Sequence, residues 1–150
     1  MANHTASEVA KWFLAYNRNV SADEGGEYIS NLKLQKLLYY AQGSFLAVTG
    51  HPLFDDPIVA WQHGPVVENV YREYKENGAN GIPFSDDFNF DTFTTGENEL
   101  LKDVYDTFGQ YSAWKLRNMT HNEAPWKTTH QNDIIPLPII KDYFQQEYLA

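Results

Sequence analysis

The chain has 150 residues, no cysteine, 11 Lys+Arg against 20 Asp+Glu, and a formal net charge of -9 at neutral pH. The missing cysteines exclude a disulfide scaffold, a thiolate zinc site, an iron–sulfur cluster and a cysteine nucleophile, and they fit a reducing compartment. The carboxylate excess opposes phosphate backbones and anionic membranes unless basic residues cluster on one face.

With 10 Tyr, 9 Phe and 4 Trp the chain is too aromatic for a disordered acidic segment. At this length about two-thirds of the unfolded chain's surface can be buried, so one domain over residues 1–150 is expected. The N-terminal MANHTASEVAKWF has neither a basic region nor a long apolar run, and no stretch approaches bilayer-spanning length. A cytoplasmic protein without a membrane partner is expected.

Thr5 and Glu8 have capping-box spacing, and Val9, Trp12, Phe13 and Tyr16 then recur at three and four residues. This predicts an amphipathic helix that stops around Asn17 to Asn19. A polar loop with the pair Gly25-Gly26 follows over 21–26. Ser30 or Asn31 caps a second helix, whose stripe is Leu34, Leu37, Leu38, Ala41, Phe45 and Val48 while Lys33, Lys36 and Gln42 point elsewhere; Gly50 ends it. Ile58 to Trp61 reads as a short strand. Pro65 suits the first turn of a third helix carrying Val66, Val67, Val70, Tyr71 and Tyr74, with Asn77-Gly78 as its stop. Residues 79–96 form a long connection with Phe84, Phe88, Phe90 and Phe93, in which the spacing of the later residues suggests a marginal strand. A fourth helix runs through Leu100, Leu101, Val104, Tyr105 and Phe108. Ser112 caps a fifth through Trp114, Leu116 and Met119, and Pro138 opens a sixth with Ile139, Ile140, Tyr143 and Phe144. The expected fold is mainly α: about six helices in a compact fold with at most one small β element.

Motifs for chemistry are missing. None of His4, His51, His63, His121 and His130 belongs to a His-Glu-x-x-His or similar i, i+4 pair, and there is no nucleophile elbow, Walker loop or Gly-x-Gly-x-x-Gly. Ser44 reads as structural, and Asp55-Asp56 as turn or cap formers rather than a catalytic pair. No catalytic residue, cofactor or metal is assigned, and an enzyme is not expected. Nucleic acid is not an expected partner either, because Lys11, Arg18, Lys33 and Lys36 would have to build one face together.

Between Asp86 and Asp106 seven carboxylates face Lys102 alone, a local charge of -6. That segment is either a solvated face or a docking patch for a basic partner, with Asp86, Asp87 and Asp91 as its candidates. Two further stretches stand out. In Ala60-Trp61-Gln62-His63-Gly64-Pro65-Val66-Val67, Gly64 permits a tight turn, Pro65 sets a helix entry, and the N–H groups beyond it offer an anion seat beside His63. The alternative is a helix-initiating turn with a buried Trp. In Thr120-His121-Asn122-Glu123-Ala124-Pro125-Trp126, a polar loop ends in a Pro-Trp pair that either anchors a partner or plugs the core.

These two stretches, together with Val9-Ala10-Lys11-Trp12-Phe13-Leu14, the block from Leu32 to Gly43 and Gly50-His51-Pro52-Leu53-Phe54-Asp55-Asp56, resemble the phage-associated GepA-like proteins. The domain of that family is also called the SocA-like or Panacea antitoxin domain. The resemblance follows family order over nearly the whole chain. It implies the antitoxin of a bacterial or prophage type II toxin–antitoxin module, which neutralises a co-encoded toxin by direct binding. It also admits a proteolytic adaptor that delivers the toxin to an ATP-dependent protease. A DNA-binding autoregulator and an enzyme using His63 or His121 are the readings of other classes. Trp61, His63, Gly64, Pro65, Thr120, His121, Pro125 and Trp126 fall in the family's signature and are candidate partner-binding residues, with a role in the fold equally open. About eight residues precede Val9 and none of domain size follows Trp126, so the bare domain is expected.

Overall fold

The computed structural model describes residues 2–21 and 28–148. Among these residues lie seven helices: α1 (Ala6–Ser21), α2 (Asn31–Thr49), α3 (Glu68–Glu73), α4 (Thr95–Phe108), α5 (Ala113–His121), α6 (Ala124–Lys127) and α7 (Leu137–Tyr148). Strands β1 (Val59–Trp61) and β2 (Gly64–Val66) form an antiparallel pair. The fold is therefore mainly α with one small sheet, as the hydrophobic period predicts. The additional helix is α6, one turn within the stretch read as a loop. Gly25-Gly26 and the polar residues before it, from Ala22, lie outside the described residues.

Side-chain caps set the starts of α1, α2, α4 and α5, and at α4 Thr94 and Glu97 close a capping box. Thr5 Oγ1 accepts from Glu8 N–H at 3.1 Å while Glu8 Oε1 accepts from Thr5 N–H at 3.0 Å, closing the predicted box. Ser30 and Ser112 accept from the backbone N–H of Lys33 and Lys115 at 3.2 and 3.1 Å. Such caps contribute about 1 kcal/mol each. Asp56 adds to the first, accepting from Ala6 N–H at 2.9 Å, and Asp55 accepts from Ala2 N–H at 3.2 Å, so both serve turns and caps.

Helix α2 departs from the one-sided stripe. It is packed against α1, α3, α4, α5, α7 and β2, and Leu34, Leu37, Leu38, Tyr39, Tyr40 and Ala41 are all fully buried. Lys36 and Gln42, expected to point away, are buried as well, whereas Val48 is 60% exposed. Distant backbone explains this. Gln42 Nε2 donates to Phe54 O at 2.7 Å and its Oε1 accepts from Leu53 N–H at 2.7 Å, so one amide pairs like a strand with the chain after Gly50. Gln35 Oε1 accepts from Val67 N–H at 2.9 Å in the same manner. Buried amides are tolerated because both ends are satisfied. Gly43 lets α7 approach closely, since a β-carbon there would fall within the ring of Phe144.

Pro65 does not open a helix. It lies in β2 opposite Ala60, in the register Val59↔Val66, Ala60↔Pro65, Trp61↔Gly64, and α3 starts only at Glu68. A strand with one paired neighbour accommodates a residue lacking an N–H. The far edge of β1 is covered by the chain before α7, with Ala60 N–H donating to Asp133 O at 2.9 Å and Ile135 N–H to Ile58 O at 2.7 Å. Residues 79–96 contain a single 3-10 turn, Phe90–Thr92, in place of the marginal strand. Phe93 turns inward and stacks on His4 at 3.9 Å.

Candidate functional site

The two signature stretches come together: the β1–β2 hairpin packs on α5 and α6. Trp126 Nε1–H donates to Trp61 O at 2.7 Å, and the His121 ring lies on the Trp126 indole at 4.0 Å and 6°. Thr120, fully buried, donates its hydroxyl to Arg117 O at 2.8 Å. Lys36 reaches the same place from α2 and donates Nζ–H to Pro65 O at 2.9 Å. Burial, with the Arg117 charge adding to it, brings the Lys36 ammonium down to about 7. Burial also lowers His121, again with Arg117 adding to it and a hydrogen bond to the Gln62 backbone opposing.

Beside this junction Glu123, only 4% exposed, accepts three tyrosine hydroxyls: Tyr39 at 2.9 Å on Oε1, and Tyr40 at 2.8 Å and Tyr148 at 2.9 Å on Oε2. Burial raises the carboxyl and the three hydroxyls oppose that shift without cancelling it. Burial likewise raises all three phenols, the nearby Glu123 adding to it. The tyrosines come from α2 and α7, so the carboxylate ties both to the start of α6. Sequence reasoning did not pick out Glu123, because its partners lie 83, 84 and 25 residues away.

Gly64, Pro65, Thr120 and Pro125 are buried, and His121, Trp61 and Trp126 are half-buried and committed to the contacts above, Trp61 also meeting Tyr71 at 4.9 Å. Only His63 among the signature residues is exposed. Its Nδ1 accepts from Arg117 Nε–H at 3.2 Å, and the Arg117 guanidinium sits 4.4 Å from the Trp114 ring centre. Trp114 is 55% exposed. Trp114, Arg117 and His63 thus form a preassembled aromatic and cationic platform, and a cleft of about 470 Å³ adjoins it, lined by His63, Trp61, Gln62, Tyr71 and Asn132. Trp114 and Arg117 escaped sequence reasoning because only folding sets α5 beside the hairpin turn.

Other expectations raised by the sequence fare differently. The anion seat is absent from the described hairpin, since Val67 N–H is already bound by Gln35 and precedes α3 rather than a helix at Pro65. His63 and His121 are bordered by rings, backbone and the cations Arg117 and Lys36, not by the carboxylate that the enzymatic reading requires. Lys11, Arg18, Lys33 and Lys36 do not share a basic face: Lys36 is buried, Lys11 pairs with Glu73 at 3.2 Å, Arg18 donates to Asp86 O at 2.7 Å, and Lys33 to Gly109 O at 2.6 Å. Among the described residues there is no group of three or more His, Cys, Asp or Glu able to hold a metal, and no helix is long and apolar enough to cross a membrane.

In the acidic segment, Asp86, Asp87, Asp91, Glu99, Asp103 and Asp106 are exposed. Glu97 is internal. Burial by itself would push its carboxyl up, but the Thr94 backbone N–H and His4, 3.0 Å away, hold it below its ordinary value.

Residues 34–127, spanning the whole junction, match the family model described as "Antitoxin SocA-like, Panacea domain", and the chain belongs to that family. Over 50 residues it is 54% identical to "Antitoxin SocA" of Caulobacter vibrioides (strain NA1000 / CB15N), a match covering 33% of this chain and 27% of that protein. The chain thus aligns with about a quarter of that relative's length. No solved structure matches.

Proposed function

We propose that the protein is the antitoxin of a type II module and neutralises a co-encoded toxin by direct binding, with the Trp114–Arg117–His63 platform as its central contact. Membership of the SocA-like family supports the antitoxin role. The observation that carries the site is the stacking of Arg117 on an exposed Trp114, 4.4 Å from guanidinium to ring. Trp and Arg dominate binding hot spots, and holding them in place before binding lowers the ordering entropy of association. The adjoining cleft gives a partner side chain somewhere to enter.

The decisive test expresses the neighbouring gene alone and together with this protein, in hosts with and without their ATP-dependent proteases. Direct neutralisation predicts growth arrest by the neighbour alone and rescue in both hosts. A harmless neighbour, or arrest that persists beside the intact protein, would refute the antitoxin reading. Rescue confined to protease-bearing hosts would replace neutralisation with delivery to a protease.

A further inference from the structure

Acidic and apolar surface coincide along α4, and the inference drawn from it rests on the antitoxin reading. Helices α2 and α4 and the end of α7 enclose a groove of about 470 Å³. Leu100, Val104 and Phe108 of α4 line it, with Val48 of α2 and Tyr148 of α7 exposed at 60% and 42% along its sides. Glu99 and Asp103 line it as well, exposed and without an ion-pair partner among the described residues. The Tyr148 side is fixed before any partner arrives, because its hydroxyl is bound to Glu123 at 2.9 Å. From Gly96 to Phe108 the α4 face runs about 18 Å at 1.5 Å per residue, which matches about three turns of a docked helix.

We infer that this groove receives a basic amphipathic helix of the toxin, its apolar stripe on Val48, Leu100 and Tyr148 and its Lys or Arg side chains on Glu99 and Asp103. A helix suits the groove because its walls are helices with no free strand edge to extend. A basic helix suits it because two unpaired carboxylates would otherwise lose water opposite an uncharged ligand. A second copy of this chain, carrying -9, is disfavoured by its own charge. Asp86, Asp87 and Asp91 are not among the groove's lining residues; Asp91 lines a separate cleft with Tyr16 and Lys102.

The probe is a labelled synthetic Lys/Leu amphipathic helical peptide of about four turns, titrated into the full chain and followed by fluorescence anisotropy, with amide exchange mapping its footprint. Binding should protect α4 and the C-terminal half of α2. The double variant Glu99→Lys, Asp103→Lys should weaken it by about tenfold or more, and Val48→Asp by about fivefold, with both variants folded by circular dichroism. Neutralising Asp86, Asp87 and Asp91 together should change it by less than about threefold. No binding, protection elsewhere, parent-like affinity in both groove variants, or self-association through this face in sedimentation would overturn the inference. Rescue assays separate the two readings. If the intact protein rescues and the double variant rescues equally, the groove fails while the antitoxin reading stands. If the intact protein does not rescue, the antitoxin reading fails, and with it the toxin as the groove's occupant, while the peptide titration still decides what the groove accepts.

Discussion

Gly64 packs against the end of Lys36 so closely that a β-carbon at position 64 would lie 2.8 Å from Lys36 Cε and 2.8 Å from Thr120 Oγ1. Its φ of 107° is also one that side-chain-bearing residues avoid. Gly64→Ala should therefore lower stability by about 2–4 kcal/mol, combining backbone strain with overpacking. Urea unfolding reads this as a lower midpoint at unchanged slope. An unchanged midpoint would mean that the hairpin can shift away from α2.

Lys36 itself links stability to pH. Its ammonium is held down to about 7 by burial first and by Arg117 second, against 10.5 without those influences. Between these values the unfolded chain binds the extra proton, so this group makes the protein more stable as pH rises from about 7 toward 10.5. Lys36→Met should remove that rise. Urea midpoints from about pH 7 to 9.5, below ordinary tyrosine ionisation, supply the comparison. The same rise in the variant would assign the linkage to another group.

What could be read from the sequence follows the range of the interaction. Thr5 with Glu8, Ser30 with Lys33 and Ser112 with Lys115 act within three residues, and each of these helix starts is legible. Pro65 misleads because proline fits a helix N-terminus and an edge strand equally well; pairing with Ala60 and the Gln35 bond to Val67 decide between them. Lys36 and Gln42 look like the polar side of an amphipathic helix, yet their partners are carbonyls and N–H groups of the later chain, which no helical period encodes. The signature positions of the candidate site were legible as a group, but not their division. Gly64, Thr120 and Pro125 build the junction, and the exposed and part-exposed surface beside it comes from His63, Trp114 and Arg117, of which the last two carry no local signal.

Glu123 and its tyrosines give a graded test. Glu123→Ala leaves the hydroxyls of Tyr39, Tyr40 and Tyr148 without their acceptor and should lower stability by about 3–5 kcal/mol, whereas Tyr148→Phe, at the more exposed edge, should lower it by about 1 kcal/mol. The pH response has a definite sign. Burial raises the folded Glu123 carboxyl above its unfolded value of 4.5, so its contribution is fully present below that pH and declines as pH rises through the folded value. Glu123→Gln should lack this decline when midpoints are compared from about pH 4 to 7. Equal stability of the alanine variant and the parent would show that water replaces the carboxylate.

Trp114 tests the platform with little interference from folding, because a side chain 55% exposed contributes little to the core. Trp114→Ala should leave the unfolding free energy from urea titrations within about 0.5 kcal/mol of the parent. If the proposed function holds, it should weaken toxin binding by about 30-fold, the equivalent of a 2 kcal/mol hot spot. Arg117→Lys is the sharper variant. Lysine keeps the charge but loses the planar guanidinium that stacks on Trp114 and donates Nε–H to His63. If stacking and hydrogen-bond geometry hold the platform together, Arg117→Lys should weaken binding nearly as much as Arg117→Ala in calorimetric titrations. If charge alone matters, the lysine variant will bind like the parent and the affinity of both will fall steeply with salt. Parent-like binding by Trp114→Ala would move the toxin contact away from this face.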